Sequence, residues 1–320
     1  MKHDFPFDPT GGYSADQLIA GPVAPLPAVP GDYAAYWVGQ YERALAAPLD
    51  WRLAPSTVQA PEGWTVDEIS FAGMAGGHRV GGWLVLPHGR PVRRGIVWSH
   101  GYGGRGEPQF NIPTDDAAVI FPVCTGLPTM SPHPEIGEGS GEHVVSGIGN
   151  RETYSHLFCV MDIWRAASVL MEAVPESAGR LDYIGGSFGG GMGALALAWD
   201  DRFAAGHLCV PSFGNHDVRL GLPCTGSGES VRLHVAAHPE AREVLRYFDA
   251  AVAASRIRIP IHVAAAVFDP AVPPPGQFAV YHALGGPKRL FVMSAGHFDH
   301  AGTPAENERI EAELREFFAD

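Results

Sequence analysis

Residues 181–198 pass from a short apolar run, Leu181-Asp182-Tyr183-Ile184, through Gly185-Gly186-Ser187-Phe188-Gly189-Gly190-Gly191 into the small-residue stretch Met192 to Ala198. A run of that length bounded by glycines is a strand, and the small-residue stretch after it has the makings of a helix. The chain must therefore turn from strand to helix within a G-x-S-x-G pentapeptide. That turn holds its serine in a strained conformation with the hydroxyl exposed, and the glycines two residues away on either side leave room for backbone to pass close by. A glycine-rich strand-to-helix turn can instead cradle a phosphate. That reading wants an acid at the end of a second strand about 20 residues on, and no well-formed strand supplies one.

The rest of the chain repeats the same alternation. Residues 66–71 and 79–86 form a hairpin around a glycine-rich turn at 73–77. Further strands are expected at 95–99, 117–123, 181–184, 205–210, 261–268 and 289–293, with helices at 33–46, 153–172, 189–198, 277–284 and 304–318. Short apolar strands alternating with helices imply an α/β fold with a mostly parallel central sheet and helices on both faces. At 320 residues, one hydrophobic core suffices. Residues 1–64, which include the extended PVAPLPAVP at 22–30, read as an N-terminal arm packed on a catalytic domain at 65–320. Two long stretches, 124–150 and 212–230, come after strands and are expected as loops walling the binding crevice.

A serine hydroxyl attacks a carbonyl only if a base takes its proton, and a carboxylate should orient that base. On this fold the chain order is serine, acid, histidine. Asp269 comes directly after the strand at 261–268, and His297 comes after the strand at 289–293 through Ser294-Ala295-Gly296. Both thus project toward the edge of the sheet that carries Ser187. His300, three residues further on, competes less well as the base. Asp249, in a helical stretch, and Asp299, adjacent to the base, compete less well as the acid. Negative charge on the tetrahedral intermediate needs two backbone N–H groups. The Phe188 amide, next to the nucleophile, is one. The Tyr102 amide, in Ser99-His100-Gly101-Tyr102-Gly103-Gly104 after the strand at 95–99, is the other, and its ring is placed to wall the acyl site.

Composition removes several other classes. A net charge of −13 without any long basic block argues against nucleic-acid binding. The chain has no apolar run of membrane-spanning length, and its first residues carry no apolar signal-peptide core. The four cysteines, at 124, 159, 209 and 224, form no C-x-x-C pair and read as reduced, packed thiols of a cytoplasmic protein. His297 with His300, and His234 with His238, have helical spacing but lack the carboxylates of a metal centre, so no metal and no cofactor is expected.

Several of these segments together resemble the acetyl xylan esterase/cephalosporin C deacetylase family of α/β-hydrolases. They are His100-Gly101-Tyr102-Gly103, Gly185-x-Ser187-x-Gly189-Gly190-Gly191, Tyr247-Phe248-Asp249 before Ile259-Pro260, Asp269 with Pro273-Pro274-Pro275 and Gln277-Phe278-Ala279, and Gly296-His297. The likeness spans residues 65–320. It implies hydrolysis of acetyl esters on carbohydrate or related small alcohols without a metal, often by a ring-shaped hexamer. The sequence departs from that pattern at Val123-Cys124-Thr125-Gly126-Leu127, where Arg-Gly-Gln is usual, and at Phe188 and Phe298, which replace Gln and Glu. The triad survives these changes, and two phenylalanines beside the site would favour less polar groups. The expected protein is a serine esterase acting on short acyl groups. The alternatives are a peptidase or amidase of the same fold and a non-catalytic binding protein that retains it.

Overall fold

The computed structural model describes residues 1–319. The chain opens with α1 (Ala15–Ala20) and α2 (Tyr33–Ala46), then runs through β1 (Arg52–Pro55), β2 (Trp64–Ala72), β3 (Arg79–Pro87), β4 (Arg94–Trp98) and β5 (Ala117–Pro122). After α3 (Ser140–His143) and α4 (Ser155–Ala173) come β6 (Leu181–Gly186), α5 (Phe188–Leu197) and β7 (Phe203–Cys209). Four helices come next: α6 (His216–Arg219), α7 (Ser227–Ala237), α8 (Ala241–Leu245) and α9 (Ala250–Ala254). The chain ends with β8 (Ile261–Ala266), α10 (Pro274–Ala283), β9 (Lys288–Met293) and α11 (Thr303–Ala319). None of these helices is long and apolar enough to cross a membrane.

The nine strands form one sheet in the order β1-β2-β3-β5-β4-β6-β7-β8-β9. The hairpin β2–β3 and its neighbours are antiparallel, and pairing is parallel from β5 to β9. From β4 the chain moves first to one side, to β5, and then to the other, to β6. The gap between the carboxyl ends of β4 and β6 is therefore a topological switch point, where open α/β sheets build their sites. The loop carrying Tyr102 leaves β4, and Ser187 leaves β6.

Side-chain parity on β8 separates the two faces. Val263 and Ala265 join the main core, whereas Ala264 packs with Phe291 and with Ile310 of α11. The connection from β4 to β5, residues 99–116, contains no helix. It leaves a groove of about 1060 Å³ on the α11 side, lined by Trp98, Arg105, Ile184 and Leu314 among others.

The first 64 residues share that main core. Trp37 is fully buried, stands edge-on to Trp164 and Phe248, and donates from Nε1 to the Tyr247 carbonyl at 2.9 Å. The C-terminal carbonyls of a helix have no partner within it. The buried Arg165 guanidinium serves that end of α2, donating to the carbonyls of Ala44, Ala47 and Pro48, and also to that of Ala72. Trp37→Ala is expected to lower unfolding free energy by about 3–5 kcal/mol in urea titration, the usual cost of emptying a buried aromatic site. A loss below about 1 kcal/mol would show that the arm adds little to the core.

Two expectations need correction. Neither long stretch is a bare loop, since 124–150 holds α3 and 212–230 holds α6 and the first turn of α7. Asp249 is not inside a helix. It is the N-cap of α9, and its carboxylate accepts from the amides of Asn215, His216, Ala251 and Val252. Those four bonds explain a carboxyl kept at 0% exposure and leave it unavailable as the acid partner of a histidine.

Candidate active site

Ser187 sits at φ 53° and ψ −115°, a region L residues avoid and that costs about 1–3 kcal/mol to hold. The flanking glycines explain how the turn closes. A Cβ on Gly185 would lie 2.5 Å from the Gly189 carbonyl oxygen, and one on Gly189 would lie 2.7 Å from that of His100. The Ser187 amide donates to Cys209 O on β7 at 2.8 Å, while its carbonyl accepts from Gly191 and Ser212. The backbone is tied on both sides and the hydroxyl is left free to face the crevice.

His297 Nε2 lies 2.9 Å from Ser187 Oγ, and His297 Nδ1 lies 2.9 Å from Asp269 Oδ2. With Nδ1–H donating to the carboxylate, Nε2 keeps its lone pair and accepts the serine proton. Asp269 has no exposed side-chain surface, and its four acceptor positions are filled. Oδ1 accepts from the amides of Ala271 and Val272, and Oδ2 accepts from Gln277 Nε2 as well as from His297. Gln277 is itself fixed, its Oε1 accepting from Ala266 N and its Nε2 also donating to Val272 O. Burial disfavours the His297 imidazolium. The hydrogen bond to Asp269 and the carboxylate's charge outweigh that, so its pKa lies above the usual imidazole value. His300 is turned toward Glu306 instead, at 3.7 Å, and takes no part in this chain of bonds.

Gly101, Tyr102, Ser187 and His297 line a common cavity of about 250 Å³. Among the described residues, neither the Tyr102 nor the Phe188 amide donates to a protein acceptor. His100 determines where the first of them points. Its Nε2 accepts from Cys124 N at 3.0 Å, so its Nδ1 carries the proton and donates to Gly101 O at 2.7 Å. In a trans peptide the N–H points opposite to the C=O, so fixing the Gly101 carbonyl also fixes the Tyr102 amide. Tyr102 is among the residues lining the cavity, while its ring packs on Phe188. Its hydroxyl is held between His156 Nε2 at 2.9 Å and His143 Nδ1 at 3.2 Å. Burial lowers the pKa of both histidines and keeps them neutral.

The two phenylalanines do not line the cavity. Phe188 is fully buried, and its ring packs 4.3 Å from that of Tyr102 and against His100 and Phe213. As the first residue of α5 it directs its ring away from the crevice while its amide remains free. Phe298 packs on Phe5 and Phe268. The loss of polarity at these positions thus falls in the surroundings of the site, not in the acyl pocket.

All four cysteines are unpaired thiols. Cys124 and Cys159 bring their sulfurs within 4.8 Å of each other and of an Asp162 carboxylate oxygen, all buried. This is a donor set that could hold a soft divalent cation, but it lies outside the Ser187 cavity. Burial pushes the Asp162 carboxyl up to about 8. Sequence reasoning missed the fixed roles of the His100 ring and the Gln277 amide, and it also missed Arg219, which lines the cavity from α6.

The acetyl xylan esterase (AXE1) family model matches residues 24–314. The chain belongs to the acetyl xylan esterase family. It is accordingly a serine-type carboxylic ester hydrolase. Among solved structures it is similar to the acetyl xylan esterase from Paenibacillus sp. R4, with a TM-score of 0.82 and 21% identity, covering 94% of this chain and 99% of that one. It is also similar to acetyl xylan esterase 1 from Thermoanaerobacterium sp. JW/SL YS485, with a TM-score of 0.78 and 19% identity over the same shares. A Pyrococcus horikoshii acylaminoacyl peptidase matches at a TM-score of 0.60 and 15% identity, covering 81% of this chain and 42% of that one. These likenesses show the α/β-hydrolase fold. No curated protein sequence matches the chain.

Proposed function

We propose that this acetyl xylan esterase family member removes acetyl and other short acyl groups from carbohydrate or related small-molecule esters. Ser187 is the nucleophile, His297 the base and then the acid, and Asp269 the carboxylate that orients it. The observation that carries the reading is the unbroken chain from Ser187 Oγ to His297 to Asp269, each link at 2.9 Å.

Ser187 Oγ attacks the ester carbonyl as its proton passes to His297 Nε2. The oxyanion that forms is met by the Tyr102 and Phe188 amides, aimed before the substrate arrives and so without reorganisation during the reaction. His297 then returns the proton to the leaving alcohol, and a water deprotonated by the same nitrogen releases the acid from the acyl-serine. Asp269 stabilises the transient imidazolium without taking its proton. Ser187 lines both the groove of about 1060 Å³ beside α11 and the cavity of about 250 Å³ that it shares with His297, and the smaller space, next to the base, suits a short acyl group.

Turnover requires neutral His297, and its pKa is raised. kcat/KM should therefore be lost as pH falls through a midpoint above the ordinary imidazole value of about 6.5. A pH–rate profile with its midpoint below about 6 would contradict the pairing with Asp269.

A panel of acetylated sugars, cephalosporin-type acetyl esters and p-nitrophenyl esters from acetate to octanoate tests the substrate class. Preference for octanoate, or turnover of amides alone, would overturn it. Unpaired thiols support a cytoplasmic setting, and exposed Val38, Leu45, Leu53 and Leu233 leave apolar surface for self-association into a homo-oligomer, which size-exclusion chromatography tests.

A further inference from the structure

Arg219 is only 4% exposed, yet its guanidinium makes no hydrogen bond to any described residue and has no carboxylate within 4.0 Å. The other two buried arginines use their terminal nitrogens on protein acceptors, only the Arg105 Nε being left without a partner among the described residues. Arg165 donates to four carbonyls, and Arg105 donates to Gln109 Oε1 and the Ser99 carbonyl. The two acids whose charges interact with Arg219 are already engaged, Asp249 by four backbone amides and Glu229 by Arg232 and the Cys224 amide. What remains is the face of Phe213, 5.9 Å from the guanidinium carbon. A buried cation without a counter-charge is costly.

The cavity that Arg219 lines also receives the positive end of a helix dipole. Arg219 lines the Ser187–His297 cavity together with Gly226, Ser227 and Gly228, the N-terminus of the eleven-residue α7. No side chain caps that helix, and the Ser227 and Gly228 amides donate to no described residue. The guanidinium rests directly on Gly228, where any Cβ would overlap it. A helix N-terminus with free amides and a planar cation set against it make one recognition surface for an anionic oxygen pair.

We propose that Arg219 and the N-terminus of α7 form a carboxylate subsite, so that the preferred esters carry an anionic carboxylate close to the reacting carbonyl. This rests on the esterase reading of Ser187 and narrows its substrate class. The carboxylate sits on either the acyl or the alcohol side, and matched pairs separate the two. The acyl-side pair is p-nitrophenyl hemisuccinate against p-nitrophenyl butyrate. The alcohol-side pair is acetoxyacetate against acetoxyacetamide, monitored by acetate release.

In the wild type the anionic member of one pair should exceed its neutral counterpart in kcat/KM by at least about tenfold, the yield of a charge-assisted contact. That ratio should collapse toward one in Arg219→Met and be partly kept in Arg219→Lys. Succinate should inhibit the wild type competitively while succinamide does not, a readout that needs no variant to fold. Ratios at or below one in both wild-type pairs, an unchanged ratio in Arg219→Met, or equal inhibition by succinate and succinamide would each overturn the subsite. Failure of the wild type to hydrolyse any of the four esters would overturn the esterase reading with it. Hydrolysis of the neutral esters without anionic preference overturns the subsite alone.

Discussion

Ser187→Ala should lower kcat for p-nitrophenyl acetate by at least about 10⁴-fold, with little change in the thermal melt. The size reflects the bond that is lost. Without Oγ no acyl-enzyme forms, and only water attack helped by the two amides remains. The fold should persist because the strained backbone at residue 187 is held by Cys209 O, Gly191 N and Ser212 N, none of which touches the side chain. The hydroxyl's hydrogen-bonding partner is His297, whose side chain is 29% exposed and can turn to water. Stopped-flow and steady-state assays on the purified variant check this, with unfolding monitored in parallel. A residual rate within about tenfold of wild type would mean that another group is the nucleophile.

Asp269→Asn should cost about 10³–10⁴-fold in kcat. Every group facing this carboxylate is a donor: two backbone amides at Oδ1, and Gln277 Nε2 with His297 Nδ1–H at Oδ2. An asparagine must turn its NH₂ toward one of those pairs. Facing the amides leaves two donors opposed in a buried site. Facing His297 forces the imidazole to place its proton on Nε2, where it can no longer accept from Ser187. The lost carboxylate also removes the charge that raises the His297 pKa, so the pH midpoint should move to lower pH than in the wild type. A loss smaller than about tenfold, or an unmoved midpoint, would show that Asp269 does not orient the base.

The sequence carried the scaffold wherever one element had one signal. The helix at 33–46 and the start of the strand at 117 appear as expected, because a Pro-bounded amphipathic run and a continuous apolar run each admit one structure. The Ser187 turn was legible because glycine spacing reports backbone crowding directly. Asp269 and His297 were legible because both come after strands whose carboxyl ends share an edge. Helices of four to six residues such as α1, α3 and α6 were not, since so short a helix barely shows a period and forms only through tertiary contacts.

The same reason hid the second layer of the site. Nothing local marks Gln277 as the partner of Asp269, eight residues away across a turn, or His100 as the group that aims the Tyr102 amide through its bond to residue 124. Phe188 misled for a related reason. Its place beside the nucleophile in sequence suggested a less polar site, but the first residue of a helix after a sharp turn offers its amide to the crevice and its ring to the core. Arg219 looks like any arginine in a polar stretch until the fold buries it without a partner.

The acyl-enzyme tests the mechanism most directly. Acid quenching during turnover of p-nitrophenyl acetate, with intact-mass and peptide analysis of the quenched protein, should find one acetyl group per chain, attached at Ser187 and absent from Ser187→Ala. An acetyl group on a different residue that is formed and lost at the turnover rate, or full turnover with no adduct on Ser187 in a rapid-quench series that also lacks a burst of p-nitrophenol, would contradict it.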